Sequence, residues 1–194
     1  MIGSLTNNDY LDLLYNKQIE VSNFDYNQIQ PSSIDLSLSN ECYEIKASFL
    51  AHNGKVRDKL DNLIIKKINL EKRYIFEINK TYIVKLNESL NLKNNIFGHT
   101  NPKSTTGRLD IFCRTIVDNS DEYEKIPLNY KGEIFLEITT RAFNIEFGKD
   151  DKLNQLRLVF NNHNYISDNE LINLNKKSPL CFNDRIDKNV KIDN

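Results

Sequence analysis

The sequence predicts an all-β domain, a sandwich, jelly roll or closed barrel, with one short helix near each end. Three observations support this. Segment 33–45 alternates Ile34, Leu36 and Leu38 with Asp35, Ser37 and Ser39, the period of two that marks a half-buried strand. Short β-like runs recur as far as residue 160, separated by breaks containing Asn, Lys and Gly. No stretch between Ile19 and Phe160 sustains a helical period long enough for a convincing helix.

Taken in order, Thr6 and Asp9 form a capping pattern ahead of Tyr10, Leu11, Leu13 and Leu14, whose spacing predicts a helix over about 6–17. After the turn-like NQIQP, the β core spans about 30–160, with strands expected at 33–45, 63–70, 74–78, 81–86, 108–117, 133–140, 142–147 and 154–160. Residues 51–61 are charged, contain Gly54 and are poor in apolar side chains, which predicts a mobile surface excursion. Ser167 with Glu170 forms a second capping box, opening a helix over about 167–177 through Leu171, Ile172 and Leu174 that stops before Pro179. The polar residues after Asn183 are expected to be loose.

A chain of 194 residues fits one domain, 1–194, able to bury a core without disulfides or metals. Its 26 basic and 27 acidic side chains create no global field for nucleic acid or a membrane surface, so an anionic ligand must be held by a local cluster. Cys42, Cys113 and Cys181 stand far apart with no CxxC, which argues against a disulfide framework and for a reducing cytoplasm. His52, His99 and His163 form no H-x-H pair, which disfavours a cupin-like metal site. The first ten residues lack the basic and apolar regions of a signal peptide, and no stretch approaches the roughly 18 apolar residues of a membrane helix.

Three stretches depart from plain alternation. NPKSTTGRL (101–109) gathers a lysine, three hydroxyls, a glycine and an arginine, a composition suited to cradling phosphate oxygens or, equally, to a polar turn before a strand. YKGEIFLEITTR (130–141) places Glu133, Phe135 and Glu137 on one face of a strand and Ile134, Leu136 and Ile138 on the other. A carboxylate so flanked is either desolvated, the condition that suits proton shuttling, or a strand glutamate that faces solvent or pairs with Arg141. GKDDKLNQLRLVF (148–160) reads as a hairpin, with Gln155 near the start of its second strand.

In this order, QPSSIDLSL (30–38), PKSTTGRL (102–109), YKGEIFLEI (130–138) and LNQLRLVF (153–160) resemble the dCTP deaminase family of the dCTP deaminase/dUTPase superfamily, and in particular its alphaproteobacterial type. The resemblance implies a distorted double-sheet β-barrel and a homotrimer whose active sites are shared between neighbouring subunits. It further implies hydrolytic deamination of dCTP to dUTP and ammonia in pyrimidine deoxynucleotide biosynthesis. It assigns catalysis to Glu137, Ser104 and Arg108, with Glu137 activating water for attack at C4. Nucleotide binding falls to Lys103, Ser104, Thr105, Gly107, Arg108, Thr115, Tyr130, Arg141 and Gln155. Lys103 replaces the first arginine of the family's R-S-S-x-G/A-R motif and keeps only the charge. Magnesium is implied through the triphosphate, whereas the H-x-E and P-C-x-x-C signature of zinc deaminases is missing, so the proton work falls to a carboxylate.

The sequence departs from the family where Ile126-Pro127-Leu128-Asn129 replaces an Ile-Asp-Pro-Gly whose aspartate contacts the sugar. A dUTPase shares the Tyr-x-Gly-Glu element, here Tyr130 to Glu133, but its water-activating aspartate would sit where this chain has Pro127. A bifunctional deaminase and diphosphatase, and a catalytically silent nucleotide-binding regulatory trimer, are the further alternatives.

Overall fold

The alternation at 33–45 folds as one 13-residue strand, Ser33–Ile45, long enough to belong to two sheets at once. The computed structural model describes residues 3–160, 166–179, 182–183 and 188–189. Cys181 and His163 lie outside them. In chain order the first unit contains β1 (Gly3–Ser4), α1 (Asn7–Tyr15), β2 (Ile19–Glu20), a 3₁₀ turn (Tyr26–Gln28), β3 (Ile29–Gln30), β4 (Ser33–Ile45) and α2 (Val56–Leu60). It continues with β5 (Ile64–Asn69), β6 (Tyr74–Phe76), β7 (Thr81–Asn91), β8 (Ile96–Pro102), α3 (Ser104–Arg108), β9 (Ile111–Val117), β10 (Lys125–Ile126), β11 (Lys131–Thr140), β12 (Ile145–Phe147) and β13 (Lys152–Phe160). The second unit, described by itself, contains α4 (Asp168–Lys177) and the antiparallel pair β14 (Phe182–Asn183) and β15 (Lys188–Asn189).

The main sheet runs β10-β8-β13-β4-β7-β11-β9, with antiparallel neighbours throughout. The first half of β4 pairs with β13 and its second half with β7 and β5, so this strand carries the sheet around a corner. The two ends of the order then meet. Thr100 on β8 and Thr115 on β9 touch through their hydroxyls, and the Glu124 amide donates to the Thr115 carbonyl while the Thr100 amide donates to the Glu124 carbonyl. The result is the nearly closed double-sheet barrel expected for the all-β class.

Inside the barrel, Leu36, Leu38, Val84, Leu86, Leu136, Ile138, Leu156 and Leu158 pack in one cluster. Glu88 is buried at its edge, where burial pushes its carboxyl up; it accepts from the Ser37 amide and hydroxyl and from the Gln28 side chain, tying the 3₁₀ turn to β4. Helix α1 begins with the Thr6–Asp9 capping box and buries Tyr10, whose hydroxyl donates to the Leu156 carbonyl and accepts from the Leu158 amide at 2.8 Å. Helix α4 starts with the predicted Ser167–Glu170 box. No described helix is long and apolar enough to cross a membrane.

The excursion at 51–61 differs from expectation. It is anchored. Ala51, Val56 and Leu60 are at most 2% exposed and form a second cluster with Ile45, Ile83, Ile116 and Phe135 on the outer face of β7, β9 and β11. Asp118 accepts from the Val56 amide at 2.8 Å, and Arg57 reaches Glu41 and Glu133 while lying over the Phe135 ring. Three apolar residues among eleven are too sparse to read as a pattern, yet a short helix gathers Val56 and Leu60 on one side. The boundaries that move furthest are in β7, which runs on to Asn91, β9, which begins at Ile111, and β12, which holds only Ile145–Phe147 of the expected 142–147. Strand β8 carries no clean alternation in IFGHTNP and was not expected.

Truncating Leu60 to alanine should therefore lower stability by about 2–4 kcal/mol in equilibrium urea unfolding, the range for emptying a buried leucine site. A loss below about 0.5 kcal/mol, as for surface substitutions, would mean that the excursion is not part of the core.

Candidate active site

Apolar residues on both faces of β11 decide where Glu137 goes. Ile134, Leu136 and Ile138 enter the barrel, Phe135 enters the outer cluster, and Glu137 shares the outer face, opposite Arg114 of β9 and Ile83 of β7. It is 1% exposed. Its Oε1 accepts from Arg114 Nε at 3.1 Å and also from Arg114 Nη2. Its Oε2 is buried with no hydrogen-bond partner among the described residues. The Arg114 guanidinium lies 3.9 Å from the Tyr123 ring centre and 4.8 Å from that of Phe112. Arg141 is exposed, and its backbone amide donates to the Asp110 carbonyl. Arg114 was not singled out from sequence, because a cross-strand partner 23 residues away leaves no local signal.

The stretch read as a cradle or a turn folds as the short helix α3. Lys103 precedes it, the buried Thr106 anchors it by donating to the Leu153 carbonyl at 2.9 Å, and Ser104, Thr105, Gly107 and Arg108 are exposed. Lys103 Nζ is paired with the buried Asp35 of β4. Gln155, level with Asp35 in the β13–β4 register, accepts from the Ser33 hydroxyl at 3.3 Å. The structure thus brings together Lys103, α3 and Gln155, and adds Asp35. Thr115 and Tyr130 are engaged inside the chain. Thr115 meets Thr100, while the Tyr130 hydroxyl accepts from the Asp118 amide and donates to the Glu133 carbonyl at 2.7 Å. A side chain at Gly132 would place Cβ 2.5 Å from that hydroxyl, which accounts for the glycine.

An open groove of about 400 Å³ runs between α3 and β9, lined by Pro102, Gly107, Asp110, Phe112, Arg114 and Glu124 among others. It leads from the α3 cluster to the arginine that holds Glu137. No hydrogen bond or ion pair among the described residues joins Ser104 or Arg108 to Glu137; the partner of Glu137 is Arg114. Glu133, by contrast, faces Arg57 and Lys85, whose charges hold its carboxyl below the usual range. Glu124 was also missed from sequence. Burial raises its carboxyl from 4.5 to about 7, with the Asn154 side chain and the Arg114 charge pulling the other way, and its Oε1 is buried without a partner among the described residues. Among the described residues no three His, Cys, Asp or Glu side chains converge as metal ligands.

The Glu124 environment has a measurable consequence. The native chain keeps this proton up to about pH 7 and the unfolded chain loses it near 4.5, so between those values the native state binds more protons and stability falls as pH rises. Melting temperatures measured from pH 5 to pH 8 should decline more steeply in the wild type than in Glu124→Gln. Parallel curves would contradict the assignment.

The family model for the 2'-deoxycytidine 5'-triphosphate deaminase (DCD) N-terminal domain matches residues 1–162. The crystal structure of 2'-deoxycytidine 5'-triphosphate deaminase from Agrobacterium tumefaciens is similar with a TM-score of 0.85 and 34% identity, covering 92% of this chain and 52% of that one. This chain therefore spans about half the length of that structure. No curated protein sequence matches it. With a family-model match over residues 1–162 and a 34% identical structure similar over 92% of its length, the chain belongs to the dCTP deaminase family.

Proposed function

We propose that this protein hydrolyses the amine of dCTP, taken as its magnesium complex, to give dUTP and ammonia, with Glu137 as the proton shuttle. The observation that carries this reading is the state of Glu137: a buried carboxylate with Oε1 fixed by Arg114 and Oε2 without a partner, at the position where the resemblance puts the family's water-activating glutamate. Deamination needs two proton relays. In the first, a water O–H bond breaks, its proton passes to Oε2 and on to N3, and the oxygen bonds to C4. In the second, the new hydroxyl gives its proton through the same oxygen to the amino nitrogen, the C4–N bond breaks, and ammonia leaves.

Exposed Ser104, Thr105, Gly107 and Arg108 on α3 offer hydroxyl donors, close backbone approach and a cation, the set that suits triphosphate oxygens. Magnesium fits as part of the substrate, carried on those phosphate oxygens. No hydrogen bond or ion pair among the described residues joins the α3 cluster to Glu137, which supports homotrimeric sites in which α3 of one subunit serves Glu137 of another.

Purified protein given dCTP and Mg²⁺ should release ammonia and form dUTP, and Glu137→Gln should cut kcat by about 10²–10⁴-fold, the usual worth of a general acid–base group. Tight deoxynucleotide binding without turnover would favour the regulatory reading instead. For the shared site, inactive Glu137→Gln and inactive Arg108→Ala proteins, mixed under subunit exchange, should recover activity because some interfaces combine two intact contributions. A mixture that stays inactive would place both residues in the same chain's site.

A further inference from the structure

The way Arg114 grips Glu137 is unusual for an arginine–carboxylate pair. The ordinary arrangement sends two N–H groups to two oxygens in parallel. Here Nε and Nη2 both aim at Oε1, and Oε2 is left buried without a partner among the described residues. Leaving a buried carboxylate oxygen unpaired is costly, so the arrangement is one that the surroundings impose. They do so through Tyr123. Its ring lies 3.9 Å from the guanidinium carbon, close enough for a cation–π contact, and its hydroxyl donates to the Phe49 carbonyl at 3.3 Å, which fixes the ring against the segment that follows β4. Phe112 flanks the guanidinium as well, and Ser48 Oγ lies 3.5 Å from Nη2.

We infer that Arg114, held over the Tyr123 ring, is a positioning residue that occupies one oxygen of Glu137 and reserves the other for the reacting water. This rests on the deaminase reading. A shuttle carboxylate must accept and return protons through one oxygen without rotating between the two relays, and a guanidinium fixed on Oε1 prevents that rotation. Arg114 itself exchanges no proton, since its guanidinium stays charged throughout. Lysine would keep the charge but supply neither the planar two-donor grip nor the ring stacking.

The test is steady-state kinetics with dCTP and Mg²⁺, separating kcat from KM, on wild type, Arg114→Gln, Arg114→Lys, Tyr123→Ala and Tyr123→Phe, with folding checked by circular dichroism. Arg114→Gln should lose about 10²-fold in kcat with KM within about threefold, as expected for lost orientation rather than lost binding. Arg114→Lys should recover part of that loss. Tyr123→Ala should lose about tenfold in kcat, and Tyr123→Phe, which keeps the ring, should restore most of it. The inference is overturned if folded Arg114→Gln keeps wild-type kcat, or if its defect lies in KM. Should Arg114→Gln fail to fold, wild-type kcat in both Arg114→Lys and Tyr123→Ala overturns it. An inactive wild type removes the deaminase reading and this inference together, whereas an active wild type beside an unaffected Arg114→Gln removes only this one.

Discussion

Everything around the candidate site depends on β11 being packed on both faces. Ile134, Leu136 and Ile138 fill the barrel, and Phe135 anchors the outer cluster, so the strand cannot shift by one residue without driving apolar side chains out of both cores at once. That constraint fixes the direction of Glu137, which shares the outer face and is buried there. Desolvating a carboxylate is expensive unless a cation accompanies it, and the register delivers Arg114 from β9 at the required position. The α2 segment completes the arrangement by covering the same face with Val56 and Leu60 and by laying Arg57 across Phe135.

One residue type is held in contrasting electrostatic states within a short span of this fold. Glu133 stands between Arg57 and Lys85, and its acidity is strengthened. Glu124 lies at the barrel seam with burial dominating, so its proton is retained to about pH 7. Glu88 is more deeply enclosed and receives three donors from Ser37 and Gln28, which offset its desolvation in part. Neighbouring charge and solvent access, not sequence identity, separate these carboxyl groups, and such separation is what allows acid and base roles to be distributed in a single site.

The β class and the two capped helices were legible in the sequence because each rests on local periodicity or a four-residue motif. Strand β8 was not, since residues 96–102 mix His99, Asn101 and Gly98 with apolar positions, and the strand exists because β13 supplies a partner along its length. The excursion at 51–61 was misread for a related reason: its anchors, Asp118 and Glu133, lie more than 60 residues away. In the candidate site, composition left 101–109 open between a phosphate cradle and a polar turn, alternation left Glu137 open between a desolvated and a solvent-facing carboxylate, and the family resemblance alone gave these residues roles. Arg114, Tyr123, Asp35 and Glu124 left no local signal, because each owes its place to a strand pairing or a ring contact that no short stretch encodes.

Tyr10 illustrates how far such dependence reaches. Its hydroxyl exchanges hydrogen bonds with Leu156 and Leu158, filling a gap on the edge of β13 between the pairings with β4 and β1. The partners stand 146 and 148 positions apart along the chain. During synthesis, α1 therefore emerges from the ribosome long before anything exists for Tyr10 to dock against, and the barrel closes only after β13 has been made. Such non-local closure is characteristic of slow-folding β topologies, in which the early strands wait with unpaired edges. For this chain the nascent state, more than the mature one, is where chaperone protection would matter.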